Sequence, residues 1–191
     1  MESPHILFQR WYEDAVKTEP RVPDAMQLAT VDSTGRPRVR TVLMKSFEER
    51  SLVFYTNYNS PKGKQLDGHP QVTACFHWKD IARQVILSGT VRRVSDEVSD
   101  AYFSSRSRGS QLGAWASDQS APIDSREALI EQVDTIRKRF EGQDVPRPPF
   151  WGGYCITIDH WEFWQDQADR LHDRWIYDWT GQGWDCQRVQ P

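Results

Sequence analysis

The sequence predicts a mainly β fold with helices, built as an antiparallel barrel that carries the helices at its periphery. The 191-residue chain is 38% hydrophobic, which suits a single domain over residues 1–191 with one core. About eight segments have the alternation and the β-branched or aromatic content of strands. Short turns separate most of them, and strands joined by hairpins close into a barrel without long crossovers.

The N-terminal half begins with a predicted amphipathic helix over residues 5–18, which has apolar side chains at helical spacing and ends at Pro20 and Pro23. Turn-forming residues at 32–35 join the first two strands into a hairpin. The five strands predicted in this half cover residues 25–31, 36–47, 51–57, 71–78 and 83–95.

Capping signals predict where two helices begin. Ser60 followed by Pro61 is a good helix start, because serine caps the free N–H groups and proline suits the first helical position. Ser95 is a candidate N-cap for a helix over residues 95–106. The polar, glycine-bearing stretch 102–120 is predicted to continue mainly as a loop.

The C-terminal part has a stronger helix signal over residues 124–142, with Asp124 or Ser125 as its N-cap. The proline-rich residues 146–150 predict an extended connector. Three final strands are predicted over residues 153–165, 170–179 and 184–190.

Composition argues against several classes of function. The net charge of −3 and the pI of about 6.0 do not favour nucleic acid as the main partner. The cysteines are odd in number and far apart, so neither a disulfide framework nor a zinc site is expected, and a cytoplasmic location fits best. No apolar run approaches the roughly 18 residues of a membrane span, and the first residues do not resemble a signal peptide.

Three potential cations alternate near the C-terminus, at Arg170, His172 and Arg174. On the predicted strand they share one face, because side chains alternate along a strand. Neighbouring cations repel each other unless an anionic or electron-rich group lies against them. The pattern therefore favours a ligand-facing strand, with a charged edge strand as the plain alternative.

Two further patterns favour anion binding. The predicted helix start at Ser60 has free N–H groups with Lys62 close by, although a solvated capped helix would have the same sequence. Arg40 and Lys45 lie roughly 16 Å apart on one strand at about 3.3 Å per residue, so they suit two separate anions. Their odd spacing puts the two side chains on opposite faces of the strand unless a bulge intervenes. A surface strand with charged ends and no bound anion is the alternative interpretation.

The stretch 102–120 adds guanidinium, hydroxyl and amide groups around Gly109 and Gly113, which suits phosphate or carboxylate binding as well as an ordinary polar surface. Nine tryptophans serve core and interface packing or line a site for a flat ligand. No nucleophile motif and no metal-ligand spacing is present. A flat, phosphorylated aromatic ligand would use all of these features.

Eight motifs, in this order, resemble the pyridoxine (pyridoxamine) 5′-phosphate oxidase family: RTVLMK, VFYTN, SPKGKQL, RQVILSG, RSRGSQLGAWASDQS, FWGGY, EFWQ and the terminal RLHDRWIYD. The likeness runs from about Leu7 to Pro191. It implies a split antiparallel β-barrel that forms a homodimer with FMN bound between the subunits. It also implies oxidation of pyridoxine or pyridoxamine 5′-phosphate to pyridoxal 5′-phosphate by O2, with release of H2O2.

The resemblance also implies roles for individual residues. It places Arg170 and His172 over the pyridine ring, where Arg170 positions the substrate and stabilises developing charge with support from His172. The residues implied to grip the substrate phosphate are Lys45, Tyr102, Arg106 and Ser110. The residues implied to contact FMN are Arg40, Thr41, Val42, Leu43, Met44, Lys45, Tyr55, Thr56, Lys62, Gln84, Gln119, Ser120, Trp164 and Arg174. No metal is implied.

Two departures from the family pattern are visible. Pro61 stands where many members carry arginine, and the residues before the first helix are fewer than in members with a substrate-covering arm. Two alternatives therefore stay open. One is a related FMN-dependent oxidase of the phenazine-pathway type, although those enzymes lack a matching RSRGSQLGAWAS loop. The other is a non-catalytic module that binds FMN or pyridoxal phosphate.

Overall fold

The computed structural model describes residues 2–18 and 21–191. Within that part of the chain the helices are α1 (Pro4–Thr18), α2 (Pro61–Gly68), α3 (Asp96–Ser105), α4 (Arg108–Ala116) and α5 (Arg126–Arg139). The strands are β1 (Ala25–Val31), β2 (Pro37–Glu48), β3 (Ser51–Asn57), β4 (Gln71–Trp78), β5 (Arg83–Arg93), β6 (Trp151–Gln165), β7 (Asp173–Trp179) and β8 (Trp184–Val189).

The strands form one antiparallel sheet in the order β3-β2-β1-β4-β5-β6-β7-β8, and an additional pairing of β3 with β6 closes the first six into a barrel. One edge of strand β6 pairs with β5, and the other edge is divided between two partners. Its first half, from Trp151 to Thr157, pairs with β3, and its second half, from His160 to Gln165, pairs with β7. The barrel is therefore split where β7 and β8 leave it, which confirms the predicted split antiparallel β-barrel.

The β5–β6 pairing shifts register near the point where β6 changes partners. The shift falls between Ser88 and Gly89, which face His160 and Ile158 respectively. A Cβ on Gly89 would lie 2.1 Å from the carbonyl oxygen of Thr157. Glycine is required here because the two backbones approach too closely for any side chain.

Helix α1 contributes the centre of an aromatic core. The Phe8 side chain is fully buried, and its ring lies 4.9–5.2 Å from those of Phe47, Phe76 and Trp161. These rings come from β2, β4 and β6, so α1 packs across the barrel rather than against one strand. Burying a phenylalanine stabilises the fold by roughly 1.5–3 kcal/mol.

A second apolar cluster attaches the other helices to the barrel. Phe103 of α3, Leu112 of α4 and Phe140, which caps α5, pack with Val145 and with Trp151 at the start of β6. This cluster holds α3 and α4 beside β3 and β6, and the candidate site lies between these elements.

Most predicted elements are confirmed, several to the residue. Strands β1, β3 and β4 match their predicted bounds, and Ser60, Ser95 and Ser125 each cap their helix by accepting a backbone N–H. None of the described helices is both long enough and apolar enough to cross a membrane. The predicted helix stop at Pro20 falls outside the described residues.

Two predictions are wrong. The stretch 102–120 is not mainly a loop, because α4 occupies its centre and is capped by the Ser107 side chain, which accepts from the N–H of Ser110. Strand β7 begins at Asp173 instead of residue 170. Asp169 and Arg170 precede it with left-handed φ angles of +56° and +60°. The three alternating cations of this segment therefore do not share a strand face.

Candidate active site

A cleft of about 670 Å³ opens between β2, β3, the start of α2 and the α3–α4 corner. The structure brings many of the predicted site residues to its walls. Those are Thr41, Val42, Leu43, Lys45, Tyr55, Thr56, Lys62, Tyr102, Arg106, Ser110 and Gln119. Lining residues that sequence reasoning missed include Asn57, Ser107, Ser117 and Trp151. Asn57 and Trp151 lie inside two of the recognised motifs, VFYTN and FWGGY, which was the available signal.

One end of the cleft is cationic and lies at the N-terminus of α2. The Lys62 Nζ atom is 2.8 Å from Gln119 Oε1 and 3.2 Å from Ser60 Oγ. Burial, followed by the nearby charge of Arg40, lowers the pKa of Lys62 to about 8. Within residues 2–18 and 21–191 no carboxylate forms an ion pair with Lys62 or Arg40, so an anion bound there would relieve their repulsion.

Arg40 stands behind this end of the cleft rather than in its lining. One guanidinium nitrogen donates to the Leu28 carbonyl oxygen at 3.1 Å and to Thr30 Oγ1 at 2.6 Å. The other donates to Gln65 Oε1 at 3.0 Å. Thr30 is 1% exposed and also donates to Gln65 at 2.6 Å, so the guanidinium is held by a buried network.

Lys45 lines the cleft, and its position depends on a bulge. The β2–β3 register shifts between Met44 and Ser46, which leaves Lys45 as the extra residue. Its ammonium group lies 2.7 Å from Asp24 Oδ2. The Met44 side chain is only 4% exposed and packs in the barrel core, so that side chain is not part of the cleft.

The other cationic end lies at the corner between α3 and α4. Arg106 Nη1 is buried and has no hydrogen-bond partner among the described residues. Burial lowers the pKa of Arg106, and its guanidinium carbon lies 4.6 Å from the centroid of the Trp151 ring. Helix α4 starts two residues later with Ser107 as its cap and Ser110 in its first turn. Free N–H groups beside an unpartnered guanidinium are a suitable place for a phosphate.

A set of parallel rings, here called the aromatic wall, lines the cleft beside this end. The Tyr55 and Tyr102 rings are stacked at 3.8 Å with an angle of 15°. Trp151 is stacked on Tyr55 at 5.6 Å and 12°. Burial raises the pKa of Tyr55, which keeps its phenol protonated near neutral pH.

Five predicted site residues lie outside this cleft, namely Gln84 on β5, Trp164 on β6, Arg174 in β7, and Arg170 and His172 just before β7. They are called the β7 group below. Gln84 faces Trp164 across the β5–β6 pair, and Trp164 faces Arg174 across the β6–β7 pair. The imidazole of His172 lies 4.6 Å from the Trp164 ring. Ser120 also lies outside the cleft lining and has a left-handed φ of +74°.

The members of the β7 group differ in how firmly they are held. Arg174 donates twice to Glu162 Oε1, at 2.9 and 3.1 Å, and once to the Gln190 carbonyl oxygen. His172 Nδ1 lies 3.0 Å from Asp166 Oδ1. Arg170 is exposed and forms no hydrogen bond or ion pair with any other described residue. Its own backbone has a left-handed φ of +60°, which residues other than glycine rarely adopt.

The cationic ends and the aromatic wall suit a ligand with phosphate groups and flat rings. The part of the chain that the structure describes has no group of three or more His, Cys, Asp or Glu side chains that could hold a metal ion.

Comparison with known proteins gives two matching family models. One, described as pyridoxamine 5′-phosphate oxidase, matches residues 12–140, and the other, described as pyridoxine 5′-phosphate oxidase C-terminal dimerisation region, matches residues 151–191. A pyridoxine/pyridoxamine 5′-phosphate oxidase of Rubrobacter xylanophilus is 51% identical, over 96% of this chain and 85% of the relative. The enzyme of the same name from Caulobacter vibrioides is 48% identical, over 100% and 86%.

Two solved structures are similar in fold. PhzG from Burkholderia lata, in complex with tetrahydrophenazine-1-carboxylic acid, superposes with a TM-score of 0.93 at 30% identity and covers 100% of this chain and 94% of its own. A pyridoxamine 5′-phosphate oxidase-related, FMN-binding protein from Nostoc punctiforme has a TM-score of 0.76 at 20% identity, over 94% and 95% of the two chains. The second likeness concerns the fold alone.

Proposed function

This chain belongs to the pyridoxamine 5′-phosphate oxidase family, and on that premise we propose that it oxidises pyridoxine 5′-phosphate and pyridoxamine 5′-phosphate to pyridoxal 5′-phosphate. O2 is the final acceptor and is reduced to H2O2. With the amine substrate, oxidation gives an imine, and water hydrolyses it to the aldehyde and ammonia. The observation that supports this most directly is the cleft itself. It has two cationic ends without carboxylate partners in the described chain, and an aromatic wall flanks one of them.

FMN is the proposed cofactor, and the residues present fit it. Lys62 and Gln119, with Arg40 behind them, would hold its phosphate at the N-terminus of α2, where burial already makes the free ammonium costly. The strand residues Thr41 to Lys45, with Tyr55 and Thr56, would line its ring. When bound, FMN supplies the two-electron redox chemistry and its reoxidation by O2.

The substrate phosphate would bind at the α3–α4 corner. The Arg106 Nη1 atom lacks a partner among the described residues, and Ser110 and Tyr102 lie at the same wall of the cleft. Lys45 would reach the same phosphate once its ammonium leaves or shares Asp24. Charge-assisted hydrogen bonds from guanidinium and ammonium groups are the strongest contacts available to a phosphate.

The β7 group would act on a cleft in a second copy of the chain. It does not line the cleft of its own chain, and all its members except Gln84 lie in the segment that matches a dimerisation region. A homodimer with FMN between its subunits accounts for the separation. Arg170 and His172 would then position the substrate ring and stabilise charge that develops during oxidation. The chain would act as one FMN-binding split-barrel domain, 1–191, in the cytoplasm, where cysteine side chains stay reduced.

The test is spectroscopic and direct. The purified protein is expected to be yellow with a flavin spectrum, and pyridoxine 5′-phosphate is expected to bleach it without air. Admitting O2 should restore the colour and produce H2O2 in a one-to-one ratio with the aldehyde. A yellow protein that neither bleaches nor releases H2O2 with either phosphate ester would refute the proposal and favour a non-catalytic binding module.

The likeness to PhzG makes oxidation of a reduced phenazine carboxylate the second candidate. A carboxylate would also pair with a guanidinium, so the same assay should include such a substrate. The Arg106 guanidinium, with one nitrogen unpartnered among the described residues, and the Lys45, Tyr102 and Ser110 side chains in the same cleft favour the phosphate ester. Turnover of the phenazine precursor alone would reverse that assignment.

A further inference from the structure

We propose that Trp151 is a positioning residue that holds the Arg106 guanidinium at the phosphate end of the cleft, and that it thereby sets the preference for phosphorylated over unphosphorylated substrates. This inference rests on the proposed function, because it concerns how the same site selects its substrate. Trp151 lines the cleft and is 7% exposed.

The Arg106 guanidinium is stabilised by ring faces instead of a counterion. Its carbon lies 4.6 Å from the centroid of Trp151 and 5.6 Å from that of Phe103. Among the described residues no carboxylate pairs with Arg106, and Nη1 is buried without a hydrogen-bond partner. A partly buried cation needs compensation, and the negative face of the indole ring provides it, since indole is the strongest of the aromatic rings in this role.

Two other cation–π pairs in the chain are arranged differently. Arg50 lies 3.8 Å from the Trp179 ring, but its Nε donates to the Ile158 carbonyl oxygen. Arg93 lies 4.0 Å from the Tyr58 ring and is paired with Asp67. In those pairs the cation already has a partner in the protein. Arg106 is held by rings while one of its donors stays free, which is the arrangement that a ligand-binding guanidinium requires.

Trp151 is itself fixed relative to the helix that ends at Arg106. Its carbonyl oxygen accepts from Arg147 at 2.7 Å, and Arg147 pairs with Asp96 and Asp100 of α3 at 2.6 Å each. The ion pairs therefore tie the start of β6 to α3. These contacts fix the backbone of Trp151 relative to α3, so the position from which the indole projects is set.

The aromatic wall restrains the plane of the indole. Trp151 is parallel to Tyr102 within 4° and to Tyr55 within 12°, and it packs edge-on against Phe103 at 5.2 Å. Because the ring plane is set by these neighbours, the guanidinium that lies on its face is set as well. Preorganising a phosphate-binding cation in this way improves affinity without any new contact.

The test compares Trp151→Leu and Trp151→Phe with the wild-type holoenzyme, using pyridoxamine 5′-phosphate and unphosphorylated pyridoxamine. Trp151→Leu should raise KM for the phosphate ester about tenfold while kcat stays within about twofold, because ground-state phosphate binding is lost. KM for pyridoxamine should not change. Trp151→Phe, which keeps a weaker ring face, should give an intermediate KM. The inhibition constant of inorganic phosphate should rise in parallel with KM.

Two controls separate positioning from general packing. Trp179→Leu removes a cation–π ring outside the cleft and should leave both KM values unchanged. In an Arg106→Gln background, Trp151→Leu should add no further loss in KM, because the two residues act as one unit. An additive loss in that double variant would overturn the inference.

Two further results would also overturn it: an unchanged KM for the phosphate ester in Trp151→Leu, and an equal rise in KM for both substrates. If Trp151→Leu does not fold, as judged by its melting curve, the inference is tested with Trp151→Phe instead. Its KM for the phosphate ester and its inhibition constant for inorganic phosphate should then both exceed the wild-type values. A wild-type protein that oxidises neither substrate would refute the proposed function instead. The phosphate titration would then still show whether Trp151 supports anion binding at Arg106.

Discussion

Gln65→Met should weaken FMN binding although Gln65 does not line the cleft. The Gln65 amide oxygen accepts from Arg40 Nη2 at 3.0 Å and from the buried hydroxyl of Thr30 at 2.6 Å. Methionine has similar length but cannot accept these bonds well. A hydrogen bond to a charged group contributes about 1.5–3 kcal/mol, and about 1.4 kcal/mol corresponds to a tenfold change in affinity. Because Arg40 keeps its contacts to Leu28 and Thr30, we expect the lower value, about tenfold in Kd.

The assay is titration of the apoprotein with FMN, in which quenching of flavin fluorescence reports binding. The substitution also leaves the buried Thr30 hydroxyl without its acceptor, which lowers the free energy of unfolding. The melting temperature of the apoprotein should fall by about 2–4 °C for each 1 kcal/mol of that free energy lost. Gln9→Met, at an exposed position of α1, is the matched control and should change neither quantity. A normal FMN Kd in a Gln65→Met protein that melts lower would refute the idea that Gln65 orients Arg40 for the cofactor.

Three other predictions concern charged groups at the site. The pKa of Lys62 in the free protein is lowered to about 8, so the side chain loses its positive charge as pH rises through that value. FMN affinity should therefore fall between pH 7.5 and 9.5, by up to about tenfold per pH unit. Because the unfolded state keeps the proton longer, apoprotein stability should rise over the same range, and Lys62→Gln should abolish both trends. Asp24→Asn frees the Lys45 ammonium, so KM for pyridoxamine 5′-phosphate should fall by about two- to fivefold, whereas a rise would show that Asp24 orients Lys45. Arg170→Ala should retain flavin, measured by absorbance, yet lose most turnover; normal steady-state kinetics would exclude its proposed role.

Capping and strand signals were predictable because their causes are local. The hydroxyl of Ser60 accepts from the N–H of Gly63, three residues further on, so residue types at short spacing are enough to locate the helix start. The alternation of apolar and polar residues along β1 and β4 likewise indicates which side chains face the barrel core. Such signals do not depend on the rest of the chain.

Helix α4 escaped prediction because tertiary packing outweighs its composition. Gly109 and Gly113 lower its intrinsic propensity by about 1 kcal/mol each relative to alanine. Leu112 and Ala116 are nevertheless buried, and Leu112 packs with Phe103 and Phe140 from other helices. Those partners cannot be read from residues 108–116 alone.

The start of β7 was misplaced for a related reason. Alternating charges at Arg170, His172 and Arg174 resemble a strand face, but a strand needs a partner at each position. The ladder with β6 begins where Asp173 faces Gln165, the last residue of β6. The preceding residues have no neighbouring strand, and Arg170 instead adopts a left-handed turn.

Residue types at short spacing were enough to locate the strands and the capped helix starts, and to show that basic and aromatic side chains are available for a site. They could not specify which of these side chains meet. Arg40 and Lys62 are 22 positions apart, Lys62 and Arg106 are 44 apart, and the three come together only when the barrel closes and α3 packs beside it. Contacts such as the indole of Trp151 on the guanidinium of Arg106 follow from sheet register and from the packing of distant elements. Those are properties of the whole fold, since no short segment contains both partners.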